Sequence, residues 1–418
     1  MPVKIKFFLS TILLGILFYV PNDVSLSLPI FICFILSFFY KFNIQKVKVS
    51  IGSPFFSLFF IVFYALVIIL FQRDTDIFFI KTLMKIIIIA TGIKVMIEIF
   101  HLTFYQNLLS VCTVLMFNVF ISLIQYFNLF GLSQWALSLN TIFIKHEIYF
   151  KEFRAMGLLG GYDSNGIIMA FSFHILLILA LNENNVFRKR AFLGFSLLNL
   201  LAIFIASRVG ILAAALGTFL LLCQMKKKLS QKVAPYARLI FPMIIIISCL
   251  YFWGPKSTQL STLEFIFEPF IKYNKYGEFW TQSTDGLLKE HYKLPRDSKT
   301  LIFGNGYDNA NPVYGANTDV GYLQIIFGLG IIGLVFIIVV YFYWAKIIRN
   351  NIARSPPGLY QDMNYFSLNY IIIIFINSFK GPYFLAYTLI YLFSFTFLLS
   401  LKFKPEYCPT NSHGNEIK

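Results

Sequence analysis

The chain changes character abruptly within residues 301–343, where LIFGNGYDNANPVYGANTD is followed without a break by VGYLQIIFGLGIIGLVFIIVVYFY. The first part is rich in glycine and asparagine, and the second has no charged side chain. As a helix, the second part is long enough to cross the hydrocarbon core of a bilayer. Asp319 ends the polar part, and a carboxylate at the mouth of a span is costly unless it is hydrated or paired. Asp319 is therefore a candidate functional residue.

The composition extends this interpretation to the whole chain. Of its 418 residues, 58% are hydrophobic and 13% are charged, and the mean hydropathy is +0.73. A soluble protein of this size has no interior large enough for so much apolar surface. Apolar runs at 55–71, 107–130 and 191–206 are continuous rather than alternating, which indicates helices and not the strands of a barrel. The sequence predicts an all-α polytopic membrane protein.

The apolar runs predict about twelve transmembrane helices, with a large loop between the ninth and the tenth. Nine spans and a shorter loop near 131–163 are expected within residues 1–253, and the large loop is expected at 254–318. Three further spans then occupy 319–401, and a tail follows at 402–418.

Lysine and arginine concentrate in alternate connections, such as RKR at 188–190 and KKK at 226–228. The positive-inside rule then places both termini in the cytoplasm, and the loops near 131–163 and at 254–318 on the outer side. The net charge of +16 is accordingly a sign of topology and not of nucleic-acid binding.

Cofactor chemistry finds little support in the sequence. The five cysteines and five histidines are scattered, without pairs at metal-ligand spacing or a set of cysteines in a long polar loop. A phosphate-binding loop and a dinucleotide fingerprint are both missing. We therefore expect no metal and no nucleotide cofactor.

Two arginines lie where polar and apolar sequence meet. Arg208 stands in AIFIASRVGILAAALG, a very short turn between apolar runs, where a guanidinium can grip a phosphate at the depth of a lipid headgroup. Arg154 stands in KEFRAMGLLGGYDSNGIIMA, a glycine-rich loop leading into a span, where free amides favour an anion. The alternatives are an ordinary interfacial arginine for Arg208 and a capped turn around Asp163 for Arg154.

The large loop supplies further candidates in DGLLKEHYKLPRDSKTLIFGNGY. Lys289 and Arg296 can each bind an anion, and His291 can move a proton. A solvated charged surface is the alternative for each of these three. Tyrosines in and just after the loop, including Tyr307 and Tyr322, can stack on sugar rings or anchor the chain at the membrane interface.

The order of these elements resembles the O-antigen polymerase and O-antigen ligase superfamily. An arginine with glycines, a Ser-Arg turn between two spans, a long loop, FGNGY and a GYLQIIFGLGIIGL span follow one another within residues 150–345. The resemblance implies a metal-independent glycosyltransferase of the bacterial inner membrane. Its donor and acceptor would be glycans linked to undecaprenyl pyrophosphate at the periplasmic face. A chain-length regulator and a flippase are the implied partners.

The resemblance also implies roles for individual residues. Arg208, and with it Arg154, would hold the pyrophosphate, while Asp319 and His291 would handle the proton of the acceptor hydroxyl. The arginine that such proteins often carry well before FGxG is missing, which leaves Lys289, Lys293 and Arg296 as candidates for the second pyrophosphate ligand. Gly304, Gly306 and Gly321 are expected to be structural.

The acceptor separates the two branches of the superfamily. Ligases carry a histidine just ahead of the span that follows the long loop, and here that place reads NTDVGYLQ, with Asp319 instead. The Asp-x-Gly-Tyr form resembles the polymerases, so we expect polymerisation of lipid-linked repeat units into O-antigen or a related surface polysaccharide.

Two other functions stay open. The first is an O-antigen ligase, which transfers finished polymer to lipid A-core. The second is a lipid-linked oligosaccharide flippase or another transporter, against which stand the large loop and the lack of an internal repeat.

Overall fold

The computed structural model describes residues 2–19, 54–71, 77–139, 154–158, 161–224, 256–277, 281–307 and 317–403. Regular structure in these ranges is entirely helical. The α-helices are α1 (Val3–Tyr19), α2 (Leu58–Phe71), α3 (Phe78–Phe100), α4 (Phe104–Phe127), α5 (Ser133–Ser138), α6 (Tyr162–Asn182), α7 (Val186–Ala206), α8 (Arg208–Gln224), α9 (Lys256–Tyr276), α10 (Gln282–Gly286), α11 (Ser298–Phe303), α12 (Gly321–Arg354), α13 (Leu359–Asn377) and α14 (Tyr387–Lys402). Short helical turns at Pro54–Ser57, Leu129–Gly131, Leu287–His291 and Tyr383–Leu385 complete the description.

Five of the described helices are long and apolar enough to cross a membrane, namely Pro54–Phe71 (α2 with its preceding turn), α4, α6, α7 and α12. Helix α8 and the Leu389–Lys402 part of α14 are shorter but also apolar. The all-α class is thus confirmed for the described part of the chain, and five helices there could span a membrane. The count of about twelve spans stays a prediction, because it also relies on residues 20–53 and 225–255, which lie outside the described ranges together with the tail after residue 403.

Helix α6 lies at the centre of the bundle. It contacts α4, α7, α8, α13 and α14, and every residue from Asn165 to Ala180 is buried. Two facing glycines permit the close contact with α8, since a Cβ added to Gly210 would lie 2.7 Å from the carbonyl carbon of Gly166. Small residues let membrane helices pack backbone against backbone, and this contact fixes where α8 begins relative to α6.

Helix α12 is broken at Gly330, whose φ of 70° and ψ of 178° are not helical. At such a break the carbonyls of the preceding turn lose the N–H groups to which they would hydrogen-bond in a continuous helix, and unpaired carbonyls are costly inside a membrane. The turn at 303–306, which we call the FGNG turn, supplies new partners. The Asn305 N–H donates to Phe327 O at 2.8 Å, and the Gly306 N–H donates to Gly328 O at 2.9 Å. The end of the large loop is therefore inserted into the side of α12.

Glycine is needed on both sides of this insertion. Gly304 has a φ of 81° and a ψ of 170°, a combination that is essentially restricted to glycine, and Gly306 has a φ of 75°. A Cβ added to Gly304 would lie 2.4 Å from Gly328 O, and one added to Gly330 would lie 2.1 Å from Ile302 O. The two backbones touch here with no room for side chains.

One end of the bundle gathers several helix ends, and we call it the polar end. At the start of α12, the Gly321 N–H donates to Ser378 O at 2.9 Å, and a Cβ on Gly321 would lie 2.2 Å from Gly381 O. The turn after α13 therefore lies against the start of α12. Lys380, in the same turn, lies 3.8 Å from Asp163 in the first turn of α6. Helix α8 begins beside that part of α6, so four chain segments meet at the polar end.

We predict that Gly304→Ala destabilises the folded protein by about 1–3 kcal/mol or more, because the new side chain is strained by φ and ψ and also meets Gly328 O. Gly194→Ala is the matched control, since Gly194 lies within α7 with nothing within 4 Å of its Cβ position. The control should be neutral or stabilising by up to about 1 kcal/mol. Unfolding of the detergent-solubilised variants measures both, and equal stabilities would contradict the insertion of the FGNG turn.

Candidate functional site

Arg154 lies at the polar end with its guanidinium held on three sides. Its Nε–H donates to Ala206 O at 2.9 Å, and its Nη2 donates to Asp163 Oδ1 at 3.1 Å. The guanidinium carbon also lies 4.1 Å from the centre of the Tyr162 ring, a cation–π contact. Burial lowers the pKa of Arg154 and Asp163 opposes that change, but an arginine stays charged throughout the physiological range.

A set of buried amides positions the short segment that carries Arg154. Gln125 of α4 clasps Gly157, accepting from its N–H at 2.8 Å and donating to its carbonyl at 3.0 Å. Asn118, two turns earlier, accepts from the Leu158 N–H at 2.8 Å and donates to Asn165 Oδ1 at 2.7 Å. Buried amides with all these partners rigidify a site. The sequence signal that we did not use is a pair of amides seven residues apart within an apolar run.

Arg208 is the first residue of α8, and it contacts the large loop. Its Nη1 donates to Glu268 Oε2 of α9 at 2.7 Å, while Lys272 lies 3.5 Å from the other oxygen of the same carboxylate. The Ser207 hydroxyl accepts from the Gly210 N–H at 3.0 Å, which caps the first turn of α8. Arg208 therefore links the transmembrane bundle to helix α9.

Lys380 is a third cation at the polar end, and no motif in the sequence marks it. Its ammonium lies 3.8 Å from Asp163 Oδ2, so that Asp163 faces Lys380 with one oxygen and Arg154 with the other. Burial lowers the pKa of Lys380. The carboxylates of Asp163 and Asp319 raise this pKa, whereas the cations Arg208 and Arg154 lower it. These four charges therefore act on Lys380 from four different segments. Its only sequence signal was a lone lysine in the short turn SFKGPY.

Asp319 and His291 lie side by side just before α12. The Asp319 N–H donates to His291 Nδ1 at 3.2 Å, and the Asp319 carboxylate lies 3.8 Å from His291 Nε2. The Thr318 hydroxyl donates to His291 O at 2.8 Å and fixes the two segments together. An accepting Nδ1 places the proton of a neutral ring on Nε2, on the side of the carboxylate. The Asp319 side chain is 72% exposed, so it is accessible to a substrate.

The two tyrosines of the predicted site differ in their surroundings. The Tyr322 hydroxyl donates to Phe375 O at 2.8 Å, and its ring packs against Phe379 at 4.7 Å between centroids. Tyr322 thus ties α12 to α13. Tyr307 follows the FGNG turn, and its N–H donates to Asn305 Oδ1 at 3.0 Å.

Lys289 and Arg296, the other predicted anion ligands, are exposed on the described part of the large loop. Among the described residues, neither makes an ion pair with Asp163 or Glu268. The structure instead brings together Arg154, Arg208 and Lys380, with Asp319 within electrostatic reach. Lys380, which lies near the two arginines, comes from the turn between α13 and α14, while Lys272 of the large loop lies beside Glu268.

An apolar groove of about 770 Å³ runs between α2 and α12. Aromatic side chains line much of it, including Phe60, Tyr64 and Phe336. The Tyr64 hydroxyl donates to Phe303 O at 3.2 Å, so one wall of the groove is attached to the FGNG turn. The groove is suited to an alkyl or isoprenoid chain that lies along the protein within the membrane.

Among the described residues of the polar end, four cations are paired with two carboxylates. We call the following residues the charged cluster: Arg154, Asp163, Arg208, Glu268, Lys272 and Lys380. Each of its two carboxylates pairs with two cations: Asp163 with Arg154 and Lys380, and Glu268 with Arg208 and Lys272. An excess of positive charge in a partly buried place, presented by two guanidinium groups and two ammonium groups, is suited to phosphate oxygens. Within the described ranges, no three residues of His, Cys, Asp or Glu are grouped to hold a metal ion.

Comparison of the chain with protein-family models, with curated proteins and with solved structures finds no match. The resemblance to the polymerase and ligase superfamily therefore rests on the order of the sequence motifs.

We predict that Arg208 and Glu268 are coupled by about 1 kcal/mol, the usual value for an ion pair that keeps some contact with water. Their side chains are 18% and 23% exposed. Unfolding of the wild type, Arg208→Gln, Glu268→Gln and the double variant gives the coupling free energy as a double-mutant cycle. A second cycle, with Glu264→Gln in place of Glu268→Gln, is the control, because Glu264 is exposed on α9. Additive effects for Arg208 and Glu268 would mean that α9 does not contact α8 in this way.

Proposed function

We propose that the protein is an integral-membrane glycosyltransferase that polymerises oligosaccharide repeat units carried on undecaprenyl pyrophosphate. The observation that carries this proposal is the meeting of two arginines and an accessible carboxylate at one end of a membrane-spanning bundle. On the predicted topology this end faces the periplasm, both termini lie in the cytoplasm, and the membrane is the bacterial inner membrane.

Arg208 and Arg154 are proposed to hold the pyrophosphate of the donor. Guanidinium groups bind phosphate oxygens through two parallel hydrogen bonds, and these strengthen as negative charge develops on the leaving group. Arg154 is already oriented by the amide-clasped segment, so little reorganisation is needed at the moment of reaction. Arg208 would exchange Glu268 for a phosphate oxygen.

Asp319 is proposed to act on the acceptor. Its carboxylate accepts the proton of the acceptor sugar hydroxyl while that oxygen bonds to the anomeric carbon of the donor. The bond from the anomeric carbon to the pyrophosphate oxygen breaks, and undecaprenyl pyrophosphate leaves with the electron pair. A single displacement of this kind inverts the anomeric centre. His291 would orient Asp319 through the backbone contact and the facing Nε2–H.

The apolar groove between α2 and α12 supports a lipid-linked substrate. A long isoprenoid chain needs an apolar path beside the site that binds its headgroup, and this groove is attached to the FGNG turn through Tyr64. A chain-length regulator and a flippase that delivers the repeat units are the proposed protein partners.

An O-antigen ligase is the second candidate, and one observation favours it. Ligases of the superfamily carry a histidine just ahead of the span after the long loop, and here His291 lies in space against the residue at that place, Asp319. A deletion strain separates the two functions. Loss of a polymerase leaves single repeat units on lipid A-core, whereas loss of a ligase leaves lipid A-core bare.

We predict that Asp319→Ala slows polymer formation by about 10²–10⁴-fold, the usual contribution of a general base. Arg208→Ala should slow it by roughly 10²–10³-fold, as expected for removing a stabiliser of the leaving-group charge. Purified protein with lipid-linked repeat units, analysed by the length of the product on gels, measures both. Glu264→Ala, on the exposed side of α9, is the control and should leave the rate unchanged.

Asp319→Asn and Arg208→Lys refine this experiment. The first keeps the size of the side chain and removes its basicity, and the second keeps the charge and removes the two-pronged hydrogen-bonding geometry. Normal long chains from Asp319→Ala or Arg208→Ala, at a normal protein level, would contradict the roles assigned to those residues. The absence of polymer from the wild-type protein would contradict the polymerase itself.

A further inference from the structure

Lys380 has no part in the reaction outlined above, although it lies within the charged cluster. We propose that Lys380 is a further ligand of the donor pyrophosphate, which it binds together with Arg154 and Arg208. The inference rests on the proposed function, because it names another residue that binds the same leaving group. It replaces the expectation that the remaining cation comes from the large loop.

The backbone around Lys380 is held by two other parts of the chain, the start of α12 and the large loop, so its side chain starts from a fixed point. The Gly321 N–H of α12 donates to Ser378 O at 2.9 Å. The Tyr292 hydroxyl, from the large loop, donates to Phe379 O at 2.7 Å. The close approach of the Gly321 backbone to this turn leaves no space for it to shift towards α12. A ligand on a rigid turn binds with less loss of conformational entropy than one on a free loop.

The ammonium of Lys380 has hydrogen-bonding capacity to spare. Its distance of 3.8 Å from Asp163 Oδ2 is too long for a hydrogen bond, and among the described residues the ammonium makes none. Asp163 is meanwhile hydrogen-bonded to Arg154 through its other oxygen. Lys380 can therefore take a phosphate oxygen without leaving Asp163 unpaired. A lysine ammonium carries three donors, which suits an anion with several oxygens.

The charges around Lys380 give this binding a pH signature. Asp163, from α6, and Asp319, before α12, raise the pKa of Lys380, while Arg208 and Arg154 lower it. Burial is the largest influence, and the net result is a pKa below the ordinary 10.5 of lysine. As pH rises through this lowered pKa, Lys380 loses its charge earlier than an ordinary lysine does. Pyrophosphate affinity should then fall over a range in which an arginine at position 380 stays charged.

Binding of inorganic pyrophosphate and of undecaprenyl pyrophosphate to the full-length protein in nanodiscs tests the inference. Lys380→Gln should weaken binding by roughly 10- to 100-fold, the effect expected for a hydrogen bond to a charged group. Lys299→Gln, an exposed lysine on α11, is the matched control and should bind as the wild type does. Lys380→Arg should bind within a few fold of wild type near neutral pH.

The pH dependence distinguishes a ligand from a residue that only supports the fold. The ratio of dissociation constants of wild type and Lys380→Arg, measured at each pH, removes the titration of pyrophosphate itself. This ratio should rise with increasing pH at values below 10.5, the ordinary pKa of lysine, because only the wild type loses its charge there. A constant ratio would overturn the inference, and it does so even if Lys380→Gln fails to fold.

Failure of the inference and failure of the proposed function give different results. If Lys380→Gln binds pyrophosphate like wild type while Arg208→Gln does not, Lys380 is not a ligand and the proposed function stands. If both variants bind like wild type, the pyrophosphate site at the polar end is wrong altogether, and the proposed function falls with it.

Discussion

A backbone carbonyl inside a membrane needs a hydrogen-bond partner, and the break in α12 makes this requirement decisive for the described structure. The FGNG turn gives its N–H groups to Phe327 O and Gly328 O, so the end of the large loop has one place along α12 where it fits. Helix α11, which ends at the FGNG turn, packs along α12 as a result. The same region of the loop brings His291 to Asp319. Thr318 and Asp319 themselves hold His291 just ahead of α12.

The second constraint is electrostatic. Asp163 and Glu268 each face two cations, so neither carboxylate neutralises its surroundings fully. Asp163 belongs to α6, the most buried of the five candidate spans, whereas Glu268 belongs to α9 of the large loop. The half of the cluster around Arg154 is therefore built into the bundle, and the half around Arg208 depends on how α9 lies over α8. An anion that binds both arginines must bind Arg154 beside Asp163 in the first half, and it must compete with Glu268 for Arg208 in the second.

The sequence was informative wherever a property is local. Continuous apolar runs indicated the all-helical membrane class, and a charge beside such a run indicated the end of a span, which is how Asp319 and Arg208 became candidates. The partners could not be obtained in this way. Lys380 and Glu268 join the cluster because particular helix ends pack together, and no local pattern records which ends meet. Similarly, the glycines of FGNG signalled a tight turn, but the need for Gly304 comes from a carbonyl of α12 more than twenty residues away.

Under the proposed function, Arg208 binds the donor pyrophosphate by giving up Glu268, and this exchange has a consequence for turnover. The free energy gained from the new ion pair would be reduced by the one that Arg208 loses with Glu268, so the donor and the released undecaprenyl pyrophosphate would be held less tightly than by uncompensated cations. Interactions accelerate the reaction only to the extent that they are stronger in the transition state than in the ground state. In the proposed reaction, charge on the pyrophosphate grows as its bond to the sugar breaks, and this is when phosphate would compete best with Glu268 for Arg208. If Arg208 keeps Glu268 until that point, the carboxylate would weaken ground-state binding more than transition-state binding, and it would return to Arg208 when the product departs.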